Sequence, residues 1–325
     1  MTQAIRIDRI GGPEVLQLQE VNVPPPGVGE ARVRHTAIGV NFIDIYHRTG
    51  LYKLPLPAGL GMEAAGVVES VGSEVTRVVP GDRVAYASGP VGAYSEASNV
   101  NAARLVKLPD GVSDDVAAAS LLKGLTAHYL LRRTHPVKPG EHILFHAAAG
   151  GVGMIAVQWA KALGAVVIAT VGSPEKVPFA QRLGAAHVIV TKTENVATRV
   201  REITGGKGVP VVYDSIGRDT FLASLDSLAP LGLFVSFGNA SGPVPPFEPQ
   251  LLSQKGSLFF TRPTLAHYVS TPAELDAAAG ELFAQIASNA IRIRPPQKFS
   301  LAKAADAHRA IESRQTQGSL VLIPD

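Results

Sequence analysis

Apolar and polar residues alternate with two different rhythms along this chain. Between residues 3 and 109, short β-rich runs such as ARVRHTAIGV and AGVVESVG are broken by glycine and proline turns, including Pro24-Pro25-Pro26 and Pro80-Gly81-Asp82. Short runs of this composition, bounded by such turns, are typical of strands. The pattern therefore predicts a compact and mostly antiparallel β domain in the first third of the chain.

From about residue 121 to residue 260 the rhythm changes to strand, turn, helix and strand. The predicted strands are HILFHA, AVVIATVG, HVIV, VPVVYDS and LFVSFG, and the predicted helices are GVGMIAVQWAKALG and a segment near residues 174–183. Alternation of β and α at this spacing predicts an α/β fold built on a doubly wound parallel sheet, as in Rossmann domains.

The C-terminal segment continues with a predicted helix over residues 272–288, a strand-like IRIR at residues 291–294, a further helix and the run SLVLIP. Because this last strand has no sheet of its own nearby, we expect it to complete the N-terminal domain. The predicted division is a discontinuous β-rich domain, residues 1–122 and 262–325, and a Rossmann domain, residues 123–261.

The composition argues against several classes of protein, including membrane proteins, exported proteins and nucleic-acid-binding proteins. A chain of 325 residues exceeds the size of most single cores, and its 46% hydrophobic residues include no apolar run near the roughly 18 residues of a membrane span. With no charged-then-apolar leader, we expect a soluble, unexported, cytoplasmic protein. The absence of cysteine excludes disulfides and thiolate zinc sites. The net charge is +3 and the cations are scattered, which argues against a nucleic-acid partner.

A glycine-rich loop lies between a predicted strand and a predicted helix. Residues 148–153 have the spacing of a dinucleotide-binding G-x-G-x-x-G, with Ala148 in place of the first glycine. Gly150 would let the backbone approach a pyrophosphate, Gly153 would let helix and strand pack closely, and the helix N-terminus offers unpaired N–H groups. Alternatively, these glycines only form a tight turn. The strand–loop–helix context favours the dinucleotide site.

The end of the second strand decides which dinucleotide is expected. NAD requires a carboxylate about 20 residues after the loop, whereas NADP requires groups that accept its 2′-phosphate. This chain has Gly172, Ser173 and Lys176 there, and Glu175 is expected to point away on the next helix. Lys176 is interpreted as a phosphate contact, the alternative being a solvated surface lysine. The sequence therefore predicts NADPH.

Several motifs together resemble a known family. They extend over essentially the whole chain and comprise Asn41-Phe42-Ile43-Asp44, GLGMEAAG at residues 59–66, Gly81-Asp82-Arg83-Val84, Leu122-Lys123-Gly124-Leu125-Thr126, Ala148-Ala149-Gly150-Gly151 with Gly153, and Tyr213-Asp214-Ser215. They resemble the zeta-crystallin-like quinone oxidoreductases, a zinc-free branch of the medium-chain dehydrogenases/reductases. The resemblance implies a β-rich GroES-like catalytic domain, a Rossmann NADPH-binding domain and a homodimer.

The resemblance also bears on metals. Zinc-dependent relatives have a cysteine near the place of Asn41 and a histidine next to the glutamate of the glycine-rich run, where this chain has Met62. Zinc needs three or four N, S or O ligands in a tight cage, so we expect no catalytic metal.

The same resemblance implies the site residues. Asn41 is expected beside the nicotinamide and the substrate, with Asp44, Tyr46 and Tyr52 lining a quinone pocket. The remaining cofactor contacts that it implies are Gly150, Gly151, Val152 and Gly153 for the pyrophosphate, Gly172, Ser173 and Lys176 for the 2′-phosphate, and Ser215, Phe237, Gly238 and Asn239 for the nicotinamide side.

Structural roles for these residues remain open at this point. Asn41 and Asp44 could cap a helix, because both residue types do so readily. Tyr46 and Tyr52 could be packing residues. His146 ends a buried strand and is interpreted as a core histidine with satisfied hydrogen bonds rather than as a catalytic acid.

The predicted activity is zinc-independent reduction of quinones by NADPH, with a small-molecule quinone as the partner. The cofactor supplies the electrons, while Asn41 donates a hydrogen bond to a carbonyl oxygen as charge develops on it. A first alternative is reduction of the C=C bond of an enal or enone, with Tyr46 or Tyr52 as the proton donor. A second is a non-catalytic protein that binds NADPH or RNA.

Overall fold

The computed structural model describes residues 1–313, 316 and 318–324 and divides into two compact units. Unit 1 comprises Met1–Leu125, Val269–Ala287 and Ile293–Asp325, and unit 2 comprises Thr126–Tyr268 and Ser288–Arg292. Helices and strands are numbered along the chain through both units.

Unit 1 is built mainly of short strands. They are β1 (Thr2–Ile7), β2 (Gln17–Val21), β3 (Glu30–Val40), β4 (Ala58–Gly59), β5 (Glu63–Val71), β6 (Arg83–Ala87), β7 (Ala97–Asn101), β8 (Val106–Lys107), β15 (Gln297–Ser300) and β16 (Leu320–Ile323). Its helices are α1 (Phe42–Arg48), α2 (Asp114–His128, of which the last three residues belong to unit 2), α9 (Pro272–Ala287) and α10 (Ala304–Glu312).

The larger sheet of unit 1 has the strand order β15-β16-β3-β5-β6-β8, and β7 also pairs with β3. All of its pairs are antiparallel except β15 with β16, which agrees with the predicted character of this domain. The C-terminal strand β16 pairs with β3, with Leu322 opposite Ile38. The prediction that the last strand completes the N-terminal domain is therefore confirmed.

Unit 2 alternates strands with helices. Its strands are β9 (His142–Phe145), β10 (Val166–Val171), β11 (His187–Val190), β12 (Val209–Asp214), β13 (Leu228–Ser236) and β14 (Phe259–Thr261). Its helices are α3 (Gly151–Ala162), α4 (Val177–Leu183), α5 (Val196–Ile203), α6 (Phe221–Ser227), α7 (Gln250–Gln254) and α8 (Leu265–Tyr268).

The sheet of unit 2 is parallel throughout and has the order β11-β10-β9-β12-β13-β14. The chain moves outward from β9 through β10 to β11 and then returns to β12 on the other side of β9. This reversal is the topological switch point of a doubly wound sheet, where ligands bind beyond the carboxyl ends of the strands. The predicted Rossmann fold is confirmed.

The strand predicted for residues 291–294 is wrong. Alternating isoleucine and arginine favour a strand, but Arg292 hydrogen-bonds through its backbone to the Gln158 side chain, which accepts from its N–H at 3.0 Å and donates to its carbonyl at 3.3 Å. Two prolines follow, and a proline has no N–H for a ladder. The strand β15 begins only after them.

The limits of the two units differ from the predicted boundaries at residues 122 and 261. Tyr268 belongs to unit 2, where its ring stacks on Tyr129 at 4.6 Å and its hydroxyl accepts a hydrogen bond from Thr134. Lys123 belongs to unit 1, where its ammonium contacts the carboxylate of Glu63.

Candidate active site

In unit 1, the predicted site residues lie around the start of α1. Asn41 precedes the helix in extended conformation, with φ −133° and ψ 156°. The Asp44 carboxylate accepts a hydrogen bond from the Asn41 backbone N–H at 2.8 Å. Asp44 therefore helps to cap the helix, which is the structural role that the sequence left open for this residue.

Asp44 is completely buried, and its surroundings perturb its charge state. Its Oδ2 atom also accepts from the Tyr94 hydroxyl at 3.0 Å, while Oδ1 is a buried oxygen with no hydrogen-bond partner among the described residues. Burial raises the pKa of Asp44 to about 7, against the opposing effects of the two hydrogen bonds and the Lys123 charge. A carboxyl group of this kind changes protonation near neutral pH, which suits a role in proton transfer.

The Asn41 side chain contacts a second buried carboxylate. Its Nδ2 atom donates to Oε2 of Glu63 at 2.8 Å, and Asn41 itself is 6% exposed. One of its two amide N–H groups is thereby committed to Glu63.

Tyr46 and Tyr52 lie together on and just after α1. Their rings meet edge to face with centroids 5.3 Å apart, and the Tyr52 backbone N–H donates to the Tyr46 carbonyl at 3.0 Å. Tyr46 is buried and Tyr52 is half-buried. The pair is part of an aromatic cluster that also includes Phe42 and His47.

In unit 2, the glycine loop connects β9 to the N-terminus of α3. Gly150 is the residue before the helix, with φ −81° and ψ 172°. A Cβ atom on Gly153 would lie 2.4 Å from the Ala147 carbonyl oxygen, so only glycine fits this close packing of helix against loop. Ala148 is buried and its N–H donates to the Thr170 carbonyl at 3.0 Å, which fixes the loop to β10.

The loop after β10 contains the predicted 2′-phosphate residues. Gly172 is exposed, with no heavy atom within 4 Å of where a Cβ would stand. Residues 174–176 form one 3₁₀ turn, which ends at the half-buried Lys176. Glu175 is expected from the sequence to point away from this loop, but its carboxylate interacts with residues of the loop. A hydrogen bond from the Ser173 side chain lowers the pKa of Glu175, and the charges of Lys192 and Lys176 lower it further.

The loops after β12 and β13 lie side by side. A Cβ on Gly238 would lie 2.6 Å from the Ser215 carbonyl oxygen, and the Phe237 N–H donates to the Asp214 carbonyl at 2.8 Å. The buried Asp214 carboxylate accepts from the backbone N–H groups of Ile216 at 2.7 Å and Gly217 at 3.0 Å. Asp214 thus shapes the turn that presents Ser215.

His146 is a core residue, as its position at the end of β9 suggested. It is fully buried, with Nδ1 3.1 Å from the Thr170 hydroxyl and Nε2 3.0 Å from the Ser224 hydroxyl. Burial lowers the pKa of His146, against the effect of the Asp214 charge. Both ring nitrogens have partners, so the histidine has no free group for catalysis.

The carboxyl edge of the unit 2 sheet fits a dinucleotide. The first N–H groups of α3 have no partner within the helix, and the adjoining backbone at Gly150 is exposed. The open space at Gly172 and the nearby Lys176 suit a phosphate. The loops that start at Ser215 and Phe237 follow the neighbouring strands β12 and β13, and they leave the sheet at its carboxyl edge.

Comparison with known proteins identifies relatives for both parts of the chain. Residues 27–110 match the family described as "Alcohol dehydrogenase GroES-like domain", and residues 151–278 match "Zinc-binding dehydrogenase". The chain is 57% identical over its full length to the full length of a "Quinone oxidoreductase" of Pseudomonas aeruginosa. The chain belongs to the quinone oxidoreductase family of the medium-chain dehydrogenases/reductases.

Two further members of the superfamily are informative. The crystal structure of Escherichia coli quinone oxidoreductase complexed with NADPH has a TM-score of 0.98 and 53% identity, covering 99% of this chain and 100% of that chain. A "2-haloacrylate reductase" of a Burkholderia species is 48% identical, covering 100% of this chain and 99% of that protein. The family predicted from the sequence motifs is confirmed.

The family description that matches residues 151–278 names zinc-binding enzymes, which makes the metal-ligating side chains of this chain relevant. Within the described part of the chain, no three His, Asp or Glu side chains are grouped in a way that could hold a metal ion. In residues 1–313, 316 and 318–324, none of the helices has the length and apolar character needed to cross a bilayer.

Sequence reasoning missed four polar residues near the predicted site residues. They are Glu63, Lys123, Tyr94 and Lys192. Glu63 and Lys123 lie within quoted family motifs, and an ionisable residue within an apolar run is a signal that could have singled them out. Tyr94 and Lys192 carry no comparable signal, because only the fold brings them to Asp44 and Glu175.

Proposed function

We propose that this protein reduces quinones with NADPH. The observation that carries the proposal is the full-length similarity to proteins named quinone oxidoreductase, one of them solved with NADPH at a TM-score of 0.98. The carboxyl edge of the unit 2 sheet supports it, since it offers a helix N-terminus and a cationic loop where a dinucleotide is bound in doubly wound folds.

In this proposal, unit 2 holds the cofactor. The backbone at Gly150, Gly151, Val152 and Gly153 binds the pyrophosphate, the loop with Gly172, Ser173 and Lys176 binds the 2′-phosphate, and Ser215, Phe237, Gly238 and Asn239 hold the nicotinamide side. NADPH, when bound, supplies the reducing electrons. These assignments rest on the family resemblance and on the position of each loop at one edge of the sheet.

Unit 1 supplies the side chains for the substrate. Asn41 donates its remaining amide N–H to the quinone oxygen on which negative charge develops, and thereby stabilises that charge. Tyr46 and Tyr52 offer aromatic surface to a planar acceptor. Asp44, with its pKa raised to about 7 by burial, exchanges a proton near neutral pH.

Steady-state assays test the proposed activity. Oxidation of NADPH is followed with 1,4-benzoquinone and larger quinones, and NADH serves as the matched control. We expect turnover with quinones and a clear preference for NADPH. Tight NADPH binding without turnover of any quinone would contradict the proposal.

Reduction of an activated C=C bond is a second candidate. It is favoured by the 48% identical relative named 2-haloacrylate reductase, whose name describes reduction of an acrylate. Product analysis separates the two activities, because 2-cyclohexen-1-one would give a saturated ketone whereas a quinone gives a hydroquinone. Faster turnover of the enone would make this the main activity.

We further propose that the enzyme works without zinc, as a homodimer and in the cytoplasm. Asn41 and Met62 stand where zinc relatives have ligands, and the family resemblance implies the dimer. Elemental analysis and assay after chelation test the metal, and sedimentation tests the dimer against a chain mass of 34.0 kDa. Stoichiometric zinc that is lost together with activity would overturn the first point.

A further inference from the structure

Unit 1 contains a buried ion pair next to Asn41. The Lys123 ammonium lies 3.4 Å from Oε2 of Glu63, and the two side chains are 7% and 0% exposed. Removing two charges from water costs several kcal/mol, and such a pair contributes little net stability compared with apolar residues of similar size. The burial of this ion pair therefore indicates a role other than stabilisation of the fold.

The contacts of Glu63 fix its carboxylate rigidly. Oε1 accepts from the Leu122 backbone N–H at 2.7 Å, and Oε2 accepts from Asn41 Nδ2 at 2.8 Å and from Lys123. A Cβ atom on Gly39 would lie 2.2 Å from Oε2, so the strand β3 has a glycine where the carboxylate needs space.

This arrangement determines the orientation of the Asn41 amide. A carboxylate can only accept hydrogen bonds, so Glu63 selects the NH₂ end of the amide and repels the carbonyl end. The backbone of Asn41 is held separately by Asp44. One amide N–H is thus bonded to Glu63, and the second is directed away from it in a fixed direction.

We propose that Glu63 and Lys123 are positioning residues that aim the second Asn41 N–H at the substrate oxygen. The ammonium donates to the same Oε2 atom that accepts from Asn41, and so it helps to hold this oxygen toward the NH₂ end of the amide. The idea that the target is a quinone oxygen rests on the proposed function. The orientation of the amide does not.

A double-mutant cycle with Asn41→Ala and Glu63→Gln tests the coupling. Glutamine can present its own NH₂ group to Asn41 and so no longer selects one orientation. We expect Glu63→Gln to lower kcat/KM for 1,4-benzoquinone about 10-fold to 100-fold, and to add less than about 2-fold once Asn41 is alanine. The Kd of NADPH, from the fluorescence of the bound nucleotide, should change less than about 2-fold. Additive losses in the cycle would overturn the proposal.

The paired variant Glu63→Gln with Lys123→Met separates positioning from stability. It removes the cation that Glu63→Gln leaves unpaired, so its Tm should recover relative to the single variant, while kcat/KM should stay low. If kcat/KM recovered together with Tm, the pair would be structural only and the proposal would be wrong.

A spectroscopic readout is independent of turnover. With ¹⁵N-labelled asparagine, the Asn41 side-chain signals are assigned by their loss in Asn41→Ala. We expect one of the two Nδ2 protons to be shifted downfield in the wild type and this shift to disappear in Glu63→Gln. Wild type without quinone turnover but with this shift would contradict only the proposed function, whereas equivalent spectra for wild type and Glu63→Gln would contradict the positioning role.

Discussion

Asp44 is the acceptor at the end of a directed chain of buried hydrogen bonds. Arg48 can only donate, so at 3.0 Å from Nδ1 of His308 it makes that nitrogen the acceptor. The proton of His308 then lies on Nε2, 3.0 Å from the Tyr94 hydroxyl, which in turn donates to Asp44. Consistent with a neutral ring, burial and the Arg48 charge lower the pKa of His308 to about 3.

The first prediction concerns the pH dependence of stability at Asp44. Its folded pKa is about 7 and that of an unfolded aspartate about 3.9, so between these values the folded protein binds a proton that the unfolded chain does not. Asp44 therefore makes stability fall as pH rises through this window, by up to about 1.4 kcal/mol per pH unit. Asp44→Asn removes this dependence.

Urea unfolding of the wild type and of Asp44→Asn at several pH values between 4.5 and 7.5 measures how the free energy of unfolding depends on pH. The free energy of unfolding of Asp44→Asn should rise relative to wild type as pH increases, whatever the constant offset between them. The buried histidines are the same in both proteins and cancel in the difference. Parallel pH profiles would show that Asp44 is ionised throughout.

The second prediction concerns cofactor choice at Lys176. A charge-assisted hydrogen bond contributes about 1.5 to 3 kcal/mol, so Lys176→Ala should raise KM for NADPH about 10-fold to 100-fold and leave KM for NADH nearly unchanged. Glu175→Gln should lower KM for NADPH, because it removes a negative charge that lies close to Ser173 and Lys176. Both constants come from the same steady-state assay.

If Lys176→Ala raised KM for NADPH and KM for NADH equally, the role of this lysine would be structural. A wild-type preference for NADH would instead indicate that Glu175 binds the ribose hydroxyls, and the assignment of the loop to a phosphate would then be wrong.

At the residue scale, the sequence could name the site residues that lie in contiguous motifs. Asn41 and Asp44 are three residues apart and form a recognisable run. Glu63 is 22 residues from Asn41, Tyr94 is 50 from Asp44, and His308 is 214 from Tyr94. Hydrogen bonds between such distant residues are set by strand pairing and helix packing, which no local pattern contains.

At the element scale, the glycine loop gives the third prediction. A methyl group on Gly153 would meet the Ala147 carbonyl oxygen at 2.4 Å and the Ala148 Cα at 2.7 Å. Gly153→Ala should therefore destabilise the protein by about 1 to 3 kcal/mol, since overpacking forces the backbone apart. Chemical denaturation measures this loss.

Gly172→Ala is the matched variant. No heavy atom lies within 4 Å of its added Cβ, so stability should stay within about 0.5 kcal/mol of wild type. Its KM for NADPH should nevertheless rise, because the methyl group occupies the space proposed for the 2′-phosphate. If Gly172→Ala bound NADPH like wild type, that phosphate would lie elsewhere.

Elements with a strong period were predictable and elements with conflicting signals were not. β9, β10 and β12 are mostly apolar runs, as is typical of strands in a buried parallel sheet. The segment at residues 291–294 has the period of a strand, but Gln158 occupies the backbone groups of Arg292. A side chain 134 residues away thus decides the local structure.

At the scale of the whole molecule, the two units differ in how they are assembled from the chain. The main core cluster of unit 1 draws on both chain ends, since Leu301, Ala304, Ala307, Leu320 and Leu322 pack with residues between 5 and 105. The core cluster of unit 2 consists of residues between 144 and 258, all within one continuous segment.

The fourth prediction follows from this difference. A fragment of residues 126–268 retains all six strands of its sheet and should fold alone, with a cooperative thermal transition by circular dichroism. A fragment of residues 1–125 lacks β16, so the β3 edge at Ile38 and Val40 loses its partner and becomes open to aggregation. Co-expression with residues 269–325 restores the missing strand and should yield a soluble complex. If the fragment 1–125 were instead soluble, monomeric and cooperatively folded alone, the C-terminal strand would be an addition to a complete domain, and unit 1 would not depend on both ends of the chain.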